Sequence, residues 1–308
     1  MQLMKKLLLY LSTASWARSI MTNWGIARRV ARRFVAGEQL EEAIQATREL
    51  NVRGILVTLD YLGESVAAAK DTEEVVAMYL QILDGIHTQN LESSISVKLT
   101  HLGLDLGEDL CVTNLRHILT RAKQYNLPVT IDMESTAYTD TTLRIYRTMR
   151  DEYEFNNVGT VIQAYLYRTE DDLKQLVQEN AHIRLCKGAY LEPANHAFPA
   201  KSDVDANYVK MLEQYLSTPT NAYLCLATHD ENMIQAAEKF IAAHKIPQER
   251  YEFQMLYGVR GERQTEIARH HKMRVYVPFG EAWYPYFMRR LAERPANVWF
   301  FMRSFIRA

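Results

Sequence analysis

His182-Ile183-Arg184-Leu185-Cys186-Lys187-Gly188-Ala189-Tyr190 is a short apolar run with one arginine inside it, ending in Lys-Gly-Ala. Its length suits a strand rather than a helix, and the glycine that follows punctuates its end. Seven further runs rich in Val, Ile and Leu share this character: residues 54–58, 94–99, 128–131, 159–164, 222–227, 251–255 and 274–277. Helix-period stretches separate them, at 38–50, 72–86 and 202–216 among others. Continuous apolar strands alternating with helices predict a parallel sheet covered by helices. Eight such units predict an α/β fold closed as a (βα)8 TIM-type barrel.

Polar residues gather where these runs end. Lys98 closes the second, Asp132 follows the third and Gln163 lies at the end of the fourth. Arg184 and Lys187 mark the fifth, Thr228 and His229 follow the sixth, Gln254 lies in the seventh and Tyr276 in the eighth. In such barrels the chemistry collects at the C-terminal ends of the strands. Each residue also has a plain structural reading: a snorkelling cation, a helix cap, a satisfied core histidine. The exposed backbone of Lys187-Gly188-Ala189 suits close approach of a flat ring or a phosphate. An ordinary strand-to-loop glycine is the competing reading.

Near the C-terminus, Tyr286-Phe287-Met288-Arg289-Arg290-Leu291-Ala292-Glu293 reads as a helix. Offsets of three and four bring the aromatic ring, the arginines and the carboxylate towards one face. Paired guanidinium forks suit a carboxylate held in bidentate fashion. The alternative is a solvated basic helix end, favoured by the helix dipole.

Other features narrow the possibilities. The chain has 308 residues, 48% hydrophobic and 24% charged, with net charge −1, so no global field points to nucleic acid. Its three cysteines form no CxxC pair, which fits a reduced cytosolic protein. GxGxxG, P-loop, HExxH and GxSxG signatures are all missing. Asp132-Met133-Glu134 would suit a metal on a strand, but no companion histidine is evident, so no metal is expected.

Residues 1–37 carry seven basic residues and no acid, mixed with Leu, Trp16, Trp24 and Phe34. This is a basic amphipathic arm, suited to an anionic membrane surface or to capping the fold with its charges in water. Its apolar core is too short for a signal peptide. No apolar run approaches the roughly 18 residues of a spanning helix. The expected organisation is an arm at 1–33 and one catalytic domain at 34–308.

Seven separated motifs then agree in order with one family. They are Ser96-Val97-Lys98-Leu99, Ile131-Asp132-Met133-Glu134, Gln163-Ala164-Tyr165, Arg184 through Tyr190, Ala227-Thr228-His229-Asp230, Glu252 through Gly258, and Tyr286-x-x-Arg289-Arg290-x-x-Glu293. Together they resemble proline dehydrogenase (proline oxidase) in its short bacterial single-activity form, over about Phe34 to the end.

The resemblance implies a distorted barrel holding non-covalent FAD at the C-terminal ends of its strands, with N-terminal helices and a C-terminal substrate-binding helix. It implies oxidation of L-proline to Δ1-pyrroline-5-carboxylate, with electrons passing to a membrane quinone, and a cytoplasmic enzyme peripheral at the inner face of the cell membrane. By motif position, Arg289, Arg290 and Lys98 hold the proline carboxylate. Asp132 and Arg184 are catalytic, Asp132 organising the pocket and Arg184 lying near flavin N5. Met133, Gln163, Lys187, Gly188, Ala189, Thr228 and His229 contact FAD. Tyr190, Leu256, Tyr276 and Tyr286 wall the proline ring, and Glu293 fixes an arginine. Without the resemblance, two other readings stay open. One is an aldolase-like Schiff base on Lys98 or Lys187. The other is a non-catalytic scaffold whose basic arm binds nucleic acid or membrane.

Overall fold

A computed structural model describes residues 31–293 of the protein, with side chains to Met288. Eight parallel strands close into one barrel in sequence order. They are β1 (Leu56–Tyr61), β2 (Ser93–Val97), β3 (Val129–Ile131), β4 (Val158–Gln163), β5 (His182–Cys186), β6 (Tyr223–Ala227), β7 (Tyr251–Leu256) and β8 (Met273–Phe279). β8 pairs with β1 from Leu56↔Arg274 to Tyr61↔Phe279, which leaves no open edge.

The intervening helices are α1 (Leu40–Asn51), α2 (Ala69–Thr88), α3 (Glu108–Gln124), α4 (Thr136–Arg147), α5 (Thr169–Gln178), α6 (Lys201–Ser217), α7 (Glu231–His244) and α8 (Gly261–Ala268). α9 (Trp283–Glu293) follows the last strand. The predicted (βα)8 barrel is therefore present. No helix among the described residues is long and apolar enough to cross a membrane.

The strands are not uniformly apolar as expected; they alternate. Val57 and Leu59, Ile95 and Val97, Ile183 and Leu185, and Phe253 and Met255 are all buried, in one core with the apolar faces of the helices. On α2 that face is Val75, Val76, Tyr79, Ile82, Leu83 and Ile86, at helical spacing. The intervening strand residues bond to one another between neighbouring strands. Thr58 meets Ser94 at 2.8 Å, and Arg274 donates to Glu252 at 2.6 Å. Period two puts these on the inner wall. The hydrophobic core thus lies between strands and helices, while the barrel interior is polar.

β1 also runs further than the expected 54–58. Asp60 interrupts the apolar pattern, so the charge hid the end of the strand.

The segment before α1 ties the ends of the barrel together. Ala36 N–H donates to Pro278 O at 2.9 Å, and Gly280 N–H to Gly37 O at 2.9 Å. The Trp283 indole donates to Glu38 at 3.1 Å, and Phe287 packs on Phe34 with ring centroids 6.2 Å apart. These contacts set where α9 leaves the barrel.

Gly258 adopts φ +71°, and a Cβ there would meet Arg33 O at 1.6 Å. Gly258→Ala should therefore lose about 1–3 kcal/mol of stability through backbone strain and displacement of the Arg33 segment. Chemical denaturation checks this; an unchanged midpoint would contradict the close approach.

Candidate active site

Arg184 lies in the polar interior and is buried, with 6% of its surface exposed. Such a cation needs acceptors around its guanidinium. β7, β2 and the end of β3 supply one for each of its three nitrogens. Nε donates to Gln254 Oε1 on β7 at 2.6 Å, and Nη2 to Ser96 Oγ on β2 at 3.0 Å. Nη1 donates to Asp132 Oδ1, just past β3. The second Asp132 oxygen accepts from the Tyr276 hydroxyl of β8 at 2.7 Å. The guanidinium also lies over the Tyr276 ring, 5.2 Å from its centroid. Burial is the largest single influence and works against the charge on Arg184, but Asp132, Tyr276, Cys225 and Cys186 together outweigh it and raise the arginine's pKa. Burial, and then the charge of Asp132, push the Tyr276 phenol well up, so it stays a donor.

Lys98, just past β2, is 3.4 Å from both oxygens of Asp60 on β1. Burial opposes its charge, yet Asp60 and Asp132 together raise its pKa, so it is an ammonium at neutral pH. Tyr190 is close enough to act on that ammonium electrostatically. Burial drives the neighbouring His101 the other way, to about 4, with the Lys98 charge contributing.

A second group of the expected residues forms the rim at β5–β7. Lys187 pairs with Asp205 and, at 2.8 Å, with Asp230. Asp230 caps α7, and the Lys187 and Lys201 bonds overcome burial to take its carboxyl to about 2. Thr228 Oγ1 accepts from Asp230 N–H at 3.1 Å. His229 Nε2 accepts the Leu256 N–H at 2.8 Å, so the adjoining β6 and β7 ends lock together.

Met133 follows β3, Gln163 ends β4, and Gly188 and Ala189 follow β5. Met133 and Gln163 are buried and the other two half-buried. Gly188 has φ +108°, and a Cβ there would meet the Tyr165 ring at 2.2 Å, so its missing side chain lets the loop lie on that ring. Asp132 and Glu134 do not share a site. β3 ends before them, and Glu134 accepts instead from Thr100 Oγ1 at 2.6 Å. Tyr286 is buried on α9. Arg289, Arg290 and Glu293 continue that helix, but their side chains lie outside the described residues, as does the arm up to residue 30.

A family model for proline dehydrogenase matches residues 43–303. The chain belongs to the proline dehydrogenase family. It is 45% identical to proline dehydrogenase 1 of Bacillus subtilis strain 168 over 278 residues, covering 90% of this chain and 91% of that one. Proline dehydrogenase of Deinococcus radiodurans is 40% identical over 282 residues, covering 90% of each. In fold it resembles proline utilization A of Bdellovibrio bacteriovorus, inactivated by N-propargylglycine. That match has a TM-score of 0.80 at 24% identity and covers 87% of this chain and 33% of the other.

The residues at the strand ends fit a flavin, the cofactor that resemblance to the family implied. Gln163 donates to Glu134 O at 3.3 Å, while its Oε1 is buried with no hydrogen-bond partner. A heterocycle bearing an N–H would satisfy that acceptor. Gly188 and Ala189 add a loop free of bulky side chains beside it.

Sequence reading missed Asp60, Ser96, Glu252 and Arg274. Ser94-Ile95-Ser96-Val97-Lys98 and Glu252-Phe253-Gln254-Met255-Leu256 alternate polar and apolar. That period-two signal would have put the polar set on the inner wall.

Arg274 and bonds from Arg274 and Gln254 outweigh burial and lower the Glu252 carboxyl from 4.5 to about 2. Its stabilisation is full above about pH 4.5 and disappears as pH falls towards 2, amounting to about 3 kcal/mol. The paired change Glu252→Gln with Arg274→Met should remove this part of the acid sensitivity. Unfolding free energies at pH 7 and 3 check it; an identical pH slope in variant and parent would contradict it.

Proposed function

We propose that this protein oxidises L-proline to Δ1-pyrroline-5-carboxylate, the opening step of proline breakdown, as a CH–NH oxidoreductase. FAD, held without a covalent bond, supplies the hydride acceptor when bound. Electrons leave to a membrane quinone. The observation that carries this reading is the buried Arg184–Asp132–Tyr276 cluster beside Lys98 in a chain of this family. Membership supports proline as the substrate, and the unpaired Gln163 oxygen supports a heterocyclic cofactor.

In this reading Lys98, Arg289 and Arg290 grip the substrate carboxylate, and Glu293 steadies an arginine. Tyr190, Leu256, Tyr276 and Tyr286 enclose the five-membered ring and exclude bulkier amino acids. Met133, Gln163, Lys187, Gly188, Ala189, Thr228 and His229 would hold the cofactor, with Arg184 near flavin N5. Three cations disfavour a protonated ring nitrogen, so proline gives up that proton to solvent on binding and its nitrogen offers a lone pair. The lone pair assists hydride departure from the adjacent carbon. Asp132 keeps Arg184 and Tyr276 in place while this happens, and alignment supplies much of the acceleration.

An aldolase-like Schiff base is disfavoured physically. Such a lysine must lose its proton, whereas Asp60 and Asp132 keep Lys98 charged and two carboxylates engage Lys187. The domain reading, with a basic arm at 1–33 ahead of a barrel at 34–308, supports peripheral contact with an anionic membrane from the cytoplasmic side.

Arg289→Met and Arg290→Met should each retain bound FAD and weaken proline binding by about 2–3 kcal/mol, as expected on losing a charge-assisted bond to a carboxylate. Anaerobic titration of the flavin absorbance measures both; parental proline affinity in either variant would refute the clamp. Removing residues 1–30 should reduce association with anionic vesicles and turnover with quinone, while proline still bleaches the flavin. Equal vesicle binding by the shortened chain would refute the role of the arm.

A further inference from the structure

Below Arg184 the barrel interior holds a second ion pair that the reaction scheme does not use. Glu252 and Arg274 face inward one layer deeper, on β7 and β8, and Glu252 is almost wholly buried. Arg274 donates Nε to Glu252 Oε1 at 2.6 Å and Nη2 to Oε2 at 3.1 Å. Its Nη1 donates to Val57 O at 2.8 Å and Ser94 Oγ at 3.2 Å, which moors the pair to β1 and β2. Two more donors reach the carboxylate: the Tyr223 hydroxyl at 3.2 Å and Gln254 Nε2 at 2.6 Å.

The last bond has a consequence for the reacting layer. A glutamine amide has nearly the same shape either way round, with an acceptor at one end and donors at the other. Arg184 Nε can only donate, so it needs the oxygen end of Gln254. A carboxylate can only accept, so Glu252 takes the nitrogen end. The oxygen is then left facing Arg184, at the observed 2.6 Å. With the amide reversed, two donors would oppose each other in a buried site, and Arg184 would have to turn.

We propose that Glu252, charged and anchored by Arg274, is a positioning residue that sets the polarity of Gln254 and thereby the plane of Arg184. This rests on the reading of Arg184 as the partner of the flavin. Substrate affinity should be little affected, because Lys98 and the α9 arginines do not take part in this relay. The flavin potential and the rate of its reduction should respond.

The test uses full-length holoenzyme in a coupling cycle. Glu252→Gln alone strands the Arg274 charge, so the companion variant combines Glu252→Gln with Arg274→Met and removes both ions. Each is made in the parent and in Gln254→Leu, where the relay has no link. Two quantities are measured: the midpoint potential of bound FAD without proline, and the anaerobic rate of flavin reduction across proline concentrations. In the parent background the charge-free pair should slow reduction about tenfold or more and shift the potential, with the proline dissociation constant nearly unchanged. In the Gln254→Leu background the same change should have no further effect. Equal effects in both backgrounds, or parental rate and potential in the charge-free pair, would overturn the proposal. If the parent holoenzyme itself is not bleached by proline, the functional reading falls with it; a bleached parent with an indifferent Glu252 overturns this inference alone.

Discussion

The buried bond between Arg184 and Asp132 is the constraint around which the interior is arranged. A guanidinium with so little exposure is tolerated only when its nitrogens find acceptors. Meeting them takes Ser96 from β2, Asp132 after β3 and Gln254 from β7, with Tyr276 from β8 completing the carboxylate. These residues are far apart in sequence and converge only when the sheet closes. Removing either charge would strand the other in low dielectric, which is far costlier than the net worth of the pair. The arrangement therefore orders the strand ends as much as it prepares a reaction.

A polar interior shifts the burden of stability to the outer layer. Most of the core lies between the strands and the helices, where Leu59, Val97, Ile131, Leu185, Phe253 and Val277 meet helix faces such as that of α2. Inside, polarity is layered. Arg274, Glu252, Ser94 and Thr58 form the lower level; Arg184, Asp132, Gln254 and Tyr276 form the upper one, with Lys98 and Asp60 beside it. Rigid lower contacts fix rotamers above them, the kind of support an active site requires from its scaffold.

All eight strands and the barrel were legible in the sequence, because each strand is a short run carrying apolar residues, with recognisable punctuation at its ends. Lys98, Asp132, Arg184 and Tyr276 were legible as well, since a polar side chain within or just past an apolar run is conspicuous. Asp60 was not, because it interrupts its own run and shortens the apparent strand. Ser96 and Glu252 were passed over for a related reason. Strands read as continuous have no inner and outer faces, and only alternation shows which polar residues look inward. The partners of Lys187 were beyond reach, since Asp205 comes to it from α6 and Asp230 from the cap of α7. The flavin came from resemblance to a family, whereas a carboxylate grip at Arg289 and Arg290 was an expectation from helical spacing that the resemblance made specific to proline.

The most direct test of the account is the rate at which L-proline bleaches bound FAD in Arg184→Lys, followed by anaerobic stopped flow. Lysine keeps the charge but cannot reach Gln254, Ser96 and Asp132 together. The account predicts a yellow, folded protein with parental proline affinity and reduction slowed by about a hundredfold. Reduction at the parental rate would contradict it.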